Sequence, residues 1–198
     1  MNKRWLLLTI FMGLIMSSCA SPTLYTNSPQ DLVLQAEDMP GEYVVMDALS
    51  GKRPNEELSM ESDKPEALIQ YLEGTGRIIG WENHFMLMES TQILPGFIIN
   101  QVVVYETPEG AQAAIDWPSV QSRQLIQTER NIGDIMIFTM MPFEAPGNLP
   151  WIDYKVEFAY KNLTGSISTF APEEIASPDY ALDLAELLFQ RFQKALSR

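Results

Sequence analysis

The sequence predicts an α+β fold, with an antiparallel sheet of about five to six strands flanked by helices and a long helix at the C-terminus. Several runs are rich in β-branched residues and alternate apolar with polar positions, a pattern that is typical of strands. Most of these runs are joined by short turns, which favours antiparallel pairing. Apolar residues at helical spacing close the chain, and an amphipathic helix needs a sheet face to cover.

The first half of the chain contains the clearest strand pair. Ile98, Val102 and Val104 contribute β-branched content to the second strand, and Ile93-Leu94-Pro95-Gly96 is the predicted turn before it. The predicted elements are, in order, a short helix over Pro29–Glu37, a strand over Glu42–Asp47, a loop over Ser50–Ser62, a helix over Lys64–Glu73 and strands over Arg77–Glu89 and Gly96–Glu106.

The second half begins and ends with helices that start at proline. Thr107-Pro108 opens a helix through Ile115, and Pro118 breaks it, so that a second helical stretch is expected over Ser119–Glu129. Three strands follow, over Gly133–Met141, Ile152–Tyr160 and Gly165–Phe170, and the last helix runs from Ser177-Pro178 to Leu196. Its apolar stripe consists of Ala181, Leu184, Ala185, Leu188, Phe192 and Leu196.

Composition excludes several classes of protein. The 198 residues carry 13 Lys and Arg against 26 Asp and Glu, for a formal net charge of −13. Nucleic-acid binding requires clustered basic residues, so we expect no nucleic-acid partner. One Cys and one His exclude an intramolecular disulfide, a thiolate cluster and a histidine cluster. We expect no cofactor.

The N-terminus has the pattern of an export signal. Lys3 and Arg4 precede an uncharged stretch over Trp5–Met16, which is shorter than the about 20 residues that span a bilayer. Met16-Ser17-Ser18-Cys19 then resembles the lipobox of bacterial lipoproteins. The resemblance implies a diacylglycerol on the Cys19 thiol, cleavage before Cys19 and anchoring in a membrane of the cell envelope. An ordinary signal peptide, or a membrane anchor with an unrelated cysteine, is the alternative.

The predicted organisation is therefore a leader, a tether and one domain. Residues 1–18 form the signal peptide, residues 19–30 a flexible tether that begins with lipidated Cys19, and residues 31–198 a single α+β domain. Loss of Lys3 and Arg4 takes the net charge from −13 to −15. We expect anionic lipid headgroups to repel such a domain. The acyl anchor would then hold the protein at the membrane while the domain itself does not bind the headgroups.

The order of elements resembles that of Mog1- and PsbP-like proteins. Phe97–Ala114 carries a β-branched strand that leads into Thr-Pro-Glu-Gly-Ala and a helix. Ile132–Leu196 carries Ile-Gly-Asp, three strands and the final helix. The resemblance implies an antiparallel sheet flanked by helices, and it implies no activity because one fold hosts many functions.

His84 is the only centre for histidine chemistry. Glu82 and His84 share one face of the predicted strand, so the carboxylate could orient the imidazole for general-base catalysis. A histidine on the polar face of a strand, without a catalytic role, is the interpretation that we favour. The run Gly74–Gly80 is not a dinucleotide loop, because its third glycine is one residue late and a strand follows where a helix is required.

Candidate metal ligands lack the spacing of a known site. The acidic cluster matches no EF-hand, so a solvated loop is favoured over a calcium site. It consists of Glu56, Glu57, Glu61, Asp63 and Glu66. Met86 and Met88 would present two thioethers on one strand face, but no histidine or Met-x-x-Met array accompanies them, so we favour packing over copper binding.

Two functions from different classes follow. In the first, a lipid-anchored domain without catalytic activity binds an envelope protein or a small molecule, and Phe143 and Trp151 in a predicted Pro/Gly loop are its contact residues. Rings folded back onto the core are the alternative for that loop. In the second, an extracytoplasmic hydrolase uses Glu82, His84 and a further carboxylate. The absence of a recognisable catalytic motif favours the first.

Overall fold

Eight strands form one antiparallel sheet in the computed structural model, which describes residues 23–89, 93–115 and 123–197. The sequence therefore predicts the fold class correctly and underestimates the number of strands. The strands are β1 Glu42–Val45, β2 Gly51–Arg53, β3 Arg77–Glu89, β4 Phe97–Tyr105, β5 Gln124–Leu125, β6 Ile135–Ala145, β7 Leu149–Tyr160 and β8 Leu163–Pro172. The α-helices are α1 Asn55–Met60, α2 Pro65–Gly74, α3 Pro108–Ile115 and α4 Pro178–Leu196.

The strands lie in the order β1-β3-β4-β8-β7-β6-β5, with β2 also paired to β3. The long hairpins β3–β4, β6–β7 and β7–β8 contribute most of the sheet, and β4 pairs with β8 at its centre. Because directly paired residues point to the same side, this register assigns every described strand side chain to one of two faces.

We call the first side the helix face, because α4 packs against β7 and β8 there. All of the predicted apolar stripe is buried except Leu196, which is partly buried. Phe158 contacts Phe189 and Phe192 with ring centroids 6.0 and 5.4 Å apart. Gly165 lies directly below this cluster, since a Cβ there would come within 2.6 Å of the Phe158 ring. The predicted C-terminal helix and its buried side are thus confirmed.

The chain before β1 also packs on the helix face. The predicted helix over Pro29–Glu37 is wrong: two 3₁₀ turns, Pro29–Asp31 and Ala36–Asp38, flank extended residues. The Leu34 backbone explains this, because its N–H donates to Asn100 Oδ1 (2.6 Å) and its C=O accepts from Asn83 Nδ2 (3.0 Å). Bonds to the sheet replace the bonds that a helix would make.

The folded part of the chain starts earlier than the predicted boundary at Asp31. Tyr25 is 6% exposed, and its backbone N–H and C=O are both bonded to the side chain of Asn162, at 2.8 Å each. Asn162 follows β7 in the turn to β8. Residues from Tyr25 to Gln30, which the sequence assigned to the tether, therefore lie on the domain. Cys19 and the signal segment lie outside the described residues.

The opposite side of the sheet, which we call the polar face, is covered at one end by helices. The helix α3 packs on β7, β8, β4 and β6, where Ala111 and Ile115 bury Val103 and Ala159. The neighbouring helix α2 contacts α3 through the Tyr71 hydroxyl, which donates to the Ala114 carbonyl at 3.1 Å. The rest of this face carries polar and aromatic side chains.

Three predicted segments differ from the structure. Ser50–Ser62 is not a loop, because Gly51–Arg53 pairs with β3 and α1 starts after Pro54. In the stretch predicted as helical after Pro118, residues 123–129 contain the short strand β5, which pairs with β6, and no helix. The segment Phe143–Trp151 is mostly strand rather than loop, as described below. In each case pairing with a distant strand decides the local conformation.

Candidate functional site

Glu82 and His84 lie together on the polar face, as the strand alternation predicts. His84 Nε2 is 2.5 Å from Glu82 Oε1, and the other carboxylate oxygen accepts from Gln101 Nε2 at 2.9 Å. Both side chains are mostly buried, at 14% and 16% exposed. An ionised carboxylate only accepts, so Nε2 is the donor in this contact, and Nδ1 accepts in a neutral ring and donates in a charged one.

Two ion pairs lie across the sheet from Glu82. On β7, Lys155 Nζ is 2.8 Å from Glu157 Oε1. Arg123, next to β5, reaches over β6 and donates to Asp153 Oδ2 at 2.7 Å and to Thr139 Oγ1 at 2.9 Å. Each of these cations therefore has a carboxylate partner, and neither contributes a free positive charge to the face.

The centre of the face is formed by β8. Ser166 is paired with Gln101 on one side and Glu157 on the other, and Ser168 is paired with Lys155. Their side chains therefore lie between the Glu82 cluster and the β7 ion pair. Sequence reasoning missed both serines. The strict alternation of β8, which buries Leu163 and Ile167 on the helix face, is the signal that would have placed them.

Four aromatic rings, which we call the aromatic band, border the face at the end remote from α3. Phe97 lies 5.5 Å from the His84 ring and 5.6 Å from Phe170, measured between centroids. Phe143 continues the series, 6.1 Å from Phe170 and 6.2 Å from Trp151. All four rings are only partly buried. These spacings are typical of favourable aromatic pairs.

The predicted contact residues Phe143 and Trp151 belong to this band, but on a hairpin rather than a long loop. They are directly paired across β6 and β7, and the connection is reduced to residues 146–148. Gly147 and Asn148 adopt positive φ values of 90° and 57°, which are typical of tight hairpins. Trp151 extends over β4, because a Cβ added at Gly96 would lie 3.3 Å from its ring.

Three buried polar atoms on this face have no hydrogen-bond partner within the described part of the chain. They are His84 Nδ1, Trp151 Nε1 and Asp153 Oδ1. The Asp153 side chain is 6% exposed. Nearly all buried polar groups in proteins are bonded, so each of these atoms calls for a partner from outside the chain, either a water molecule or a ligand.

A cavity of about 200 Å³ lies where α1–α3 meet the polar face. Gln101, Glu157 and Ser166 form its floor, and Arg77 and Tyr105 form its inner wall. Burial lowers the pKa of the Arg77 guanidinium and raises the pKa of the Tyr105 phenol. Arg77 donates to Asn55 Oδ1 (2.5 Å) and to the Arg53 carbonyl (2.9 Å), so it fixes α1 to the start of β3.

The arrangement offers limited means for hydrolysis. Glu157 is the carboxylate on the same cross-strand row as Glu82, but Gln101 and Ser166 stand between them. Three strand spacings separate the two backbones by roughly 14 Å. Among the described residues, His84 makes no hydrogen bond from its ring to a Ser or Thr hydroxyl that could serve as a nucleophile.

The other predicted features lie away from this face. Gly74 ends α2, Gly76 turns with a φ of 63°, and β3 begins at Arg77, so the glycine run is a helix stop followed by a strand. Within the ranges that the structure describes, no three His, Cys, Asp or Glu residues are grouped to hold a metal ion. Met86 and Met88 are exposed on the rim of the polar face.

Comparison with known proteins yields one structural relative and no sequence family. No protein-family model and no curated protein matches the sequence. The chain is similar to the extracellular domain of PknH from Mycobacterium tuberculosis, with a TM-score of 0.52 over 86% of this chain and 98% of that one. At 10% identity the likeness shows a shared fold alone.

Two sequence-based predictions gain no support from these comparisons. The lipobox and the resemblance to Mog1- and PsbP-like proteins both remain predictions. No helix in the described ranges combines the length and apolarity needed to cross a bilayer.

Proposed function

We propose that the protein is a bacterial lipoprotein whose domain is anchored outside the cytoplasm and acts as a binding module without catalytic activity. The observation that carries the binding role is the polar face, where a partly exposed aromatic band borders buried polar atoms that lack partners. An envelope protein or a small molecule would be the partner. The likeness to an extracellular domain supports the location.

The lipid anchor is argued from the sequence. The lipobox ends at Cys19, the only cysteine of the chain. Each buried lipid methylene contributes about 0.8 kcal/mol, and two or more acyl chains hold a protein stably on a membrane. Because Tyr25 is already attached to the domain, only five residues lie between it and Cys19, and these six Cα–Cα steps reach roughly 20 Å. This reach limits how far the domain can be from its lipid anchor.

The geometry points the aromatic band away from the attachment point. The chain enters the domain at Asn162, beyond the end of β7, whereas Trp151 lies near the start of that strand. The strand rise puts Trp151 roughly 30 Å from Tyr160. A domain held by its N-terminus therefore presents the band to a partner rather than to the supporting membrane.

The anchor is tested by mass spectrometry and cell fractionation. The mature N-terminus should be an acylated Cys19, and Cys19→Ser should leave the membrane fraction. Ser18→Ala, next to the cysteine, is the matched control and should remain in the membrane fraction. An unmodified thiol at residue 19 of the mature protein would contradict the anchor.

The binding role is tested by photo-crosslinking in intact cells. A crosslinking amino acid at position 143, in the aromatic band, should give a discrete adduct. The control position is Met60, which is 83% exposed on α1 and lies outside the band. Equal adducts from both positions, or none from position 143, would show that the band is not a contact surface.

A hydrolase remains the second candidate because Glu82 and His84 are in direct contact. The hydrolase hypothesis predicts that Glu82→Gln abolishes turnover of an envelope substrate. The unfolding midpoint of this variant should change no more than that of a variant at an exposed position. If the protein is a binding module instead, the wild type should show no more turnover than the Glu82→Gln and His84→Gln variants.

A further inference from the structure

We propose that the polar face binds a neutral saccharide, with a sugar ring stacked on the aromatic band and its hydroxyls bonded to the polar groups beside it. This inference deepens the binding role proposed above and rests on it. The residues that carry it are Trp151, Asp153 and His84, each of which has a buried polar atom without a partner.

The unpartnered atoms demand a ligand that both donates and accepts. Asp153 Oδ1 only accepts, and Trp151 Nε1 only donates. His84 Nε2 is in contact with Glu82, and its Nδ1 accepts in a neutral ring and donates in a charged one. A hydroxyl group satisfies either kind of partner, directly or through one water molecule. Because His84 lies on β3 and Asp153 and Trp151 lie on β7, three strand spacings or roughly 14 Å away, a saccharide of more than one ring is needed to reach all three atoms.

The aromatic band demands a second property, an apolar surface. Phe97, Phe143 and Trp151 are partly exposed and are linked by short ring contacts through Phe170. A pyranose ring presents C–H groups on its flat side and hydroxyls at its edge. It can therefore cover an aromatic ring and meet the neighbouring polar atoms at the same time.

The charges on the face oppose an anionic ligand. Arg123 is paired with Asp153, and Lys155 is paired with Glu157. Arg77 is occupied by Asn55 and the Arg53 carbonyl. A phosphate or polyanion would have to break one of these contacts, and removing one member of a buried pair leaves an uncompensated charge. A neutral ligand leaves every pair intact.

The experiment titrates the full chain in a polyoxyethylene detergent, which has no sugar headgroup, with chitotriose and with maltotriose. Trigalacturonate and inorganic phosphate are the anionic controls. Binding is followed by calorimetry and by saturation-transfer NMR. We expect at least one neutral trisaccharide to bind saturably at micromolar to millimolar concentration, and neither anion to bind.

Three variants locate the site. Trp151→Leu, which removes the ring, should weaken binding at least tenfold, and Trp151→Phe, which keeps a ring but no N–H, about threefold. Trp81→Phe, on the opposite face of β3, should bind within twofold of the wild type. Urea unfolding midpoints test whether each variant is folded. If Trp151→Leu is unfolded, the Trp151→Phe variant alone tests the site.

The inference is overturned if neither neutral trisaccharide binds, if phosphate or trigalacturonate binds as tightly, or if Trp81→Phe weakens binding as much as Trp151→Phe. These failures are distinguishable from failure of the proposed function. A crosslinked adduct at position 143 without saccharide binding would leave the binding module in place and refute its ligand class. Loss of both would refute the two proposals together.

Discussion

The two faces of the sheet differ in how the buried polar side chains of their strand residues are bonded. On the helix face, Asn83 accepts from Trp81 Nε1 and donates to the Leu34 carbonyl, and Asn100 bonds the Leu34 N–H and the Ser166 carbonyl. On the polar face, Asp153 and Trp151 have buried atoms without partners in the described part of the chain. The contrast holds for these strand residues and not for α4, where the buried Tyr180 hydroxyl also lacks a partner.

The largest effect is expected on the helix face. Phe158→Ala removes a fully buried ring that contacts Phe189 and Phe192, and should lower the free energy of unfolding by about 3–5 kcal/mol in urea titrations. The control is Phe143→Ala in the aromatic band, where partial exposure should limit the loss to less than half as much. Equal losses of unfolding free energy in the two variants would contradict the difference between the faces.

The ion pair of the polar face is expected to come next. Arg123→Met leaves the Asp153 carboxylate buried without its partner and should cost about 3 kcal/mol of unfolding free energy. The double variant Arg123→Met/Asp153→Leu should regain most of that loss, because no unpaired charge remains. If the double variant is as unstable as the single one, the pair acts through packing instead.

A smaller effect is expected where the chain enters the domain. Asn162→Ala removes three hydrogen bonds, to both backbone groups of Tyr25 and to the Tyr105 carbonyl, and should cost about 2 kcal/mol. Amide exchange should accelerate at Tyr25 more than at Leu34, which Asn100 holds separately. Uniform acceleration throughout the domain would show that the first residues do not detach locally.

The smallest effect is a pH dependence, to which Tyr43 and Tyr180 of the helix face contribute alongside Tyr105 of the polar face. Burial, and then contact with Tyr180, raises the pKa of Tyr43, and burial raises that of Tyr180. Above about pH 10 the unfolded chain loses phenolic protons that the folded chain keeps, so stability is fully present below that pH and falls above it. Each tyrosine contributes a slope of at most about 1.4 kcal/mol per pH unit. Tyr43→Phe should show a shallower decline between about pH 10 and 11 in urea unfolding, and an unchanged slope would contradict the assignment.

Periodicity is sufficient to predict the long elements. The stripe of α4 and the alternation of β3 place Leu188 in the core and Glu82 beside His84, since local geometry alone determines those relations. Periodicity does not predict the short strands. The strands β2 and β5 exist because they pair with β3 and β6, and a sequence window does not show its partner.

The site is harder to predict than the fold for the same reason. The hairpin that carries Phe143 and Trp151 has the signal Gly147-Asn148, but Pro142 and Pro150 favour a loop when the strands are judged singly. Asp153 and Ser168 come from different strands, and only the register of β7 with β8 and β6 brings them onto one face with Arg123. Pairing register is a property of the whole sheet.

The attachment of Tyr25 to Asn162 also determines how the domain bears mechanical load. Any pull on the start of the chain enters the sheet at the turn between β7 and β8, near its middle, rather than along an outer strand that could peel away bond by bond. The force runs into strands that are hydrogen-bonded on both sides. We expect the bonds of Asn162 to break first, so that a pull on the tether releases a few residues before the sheet is strained.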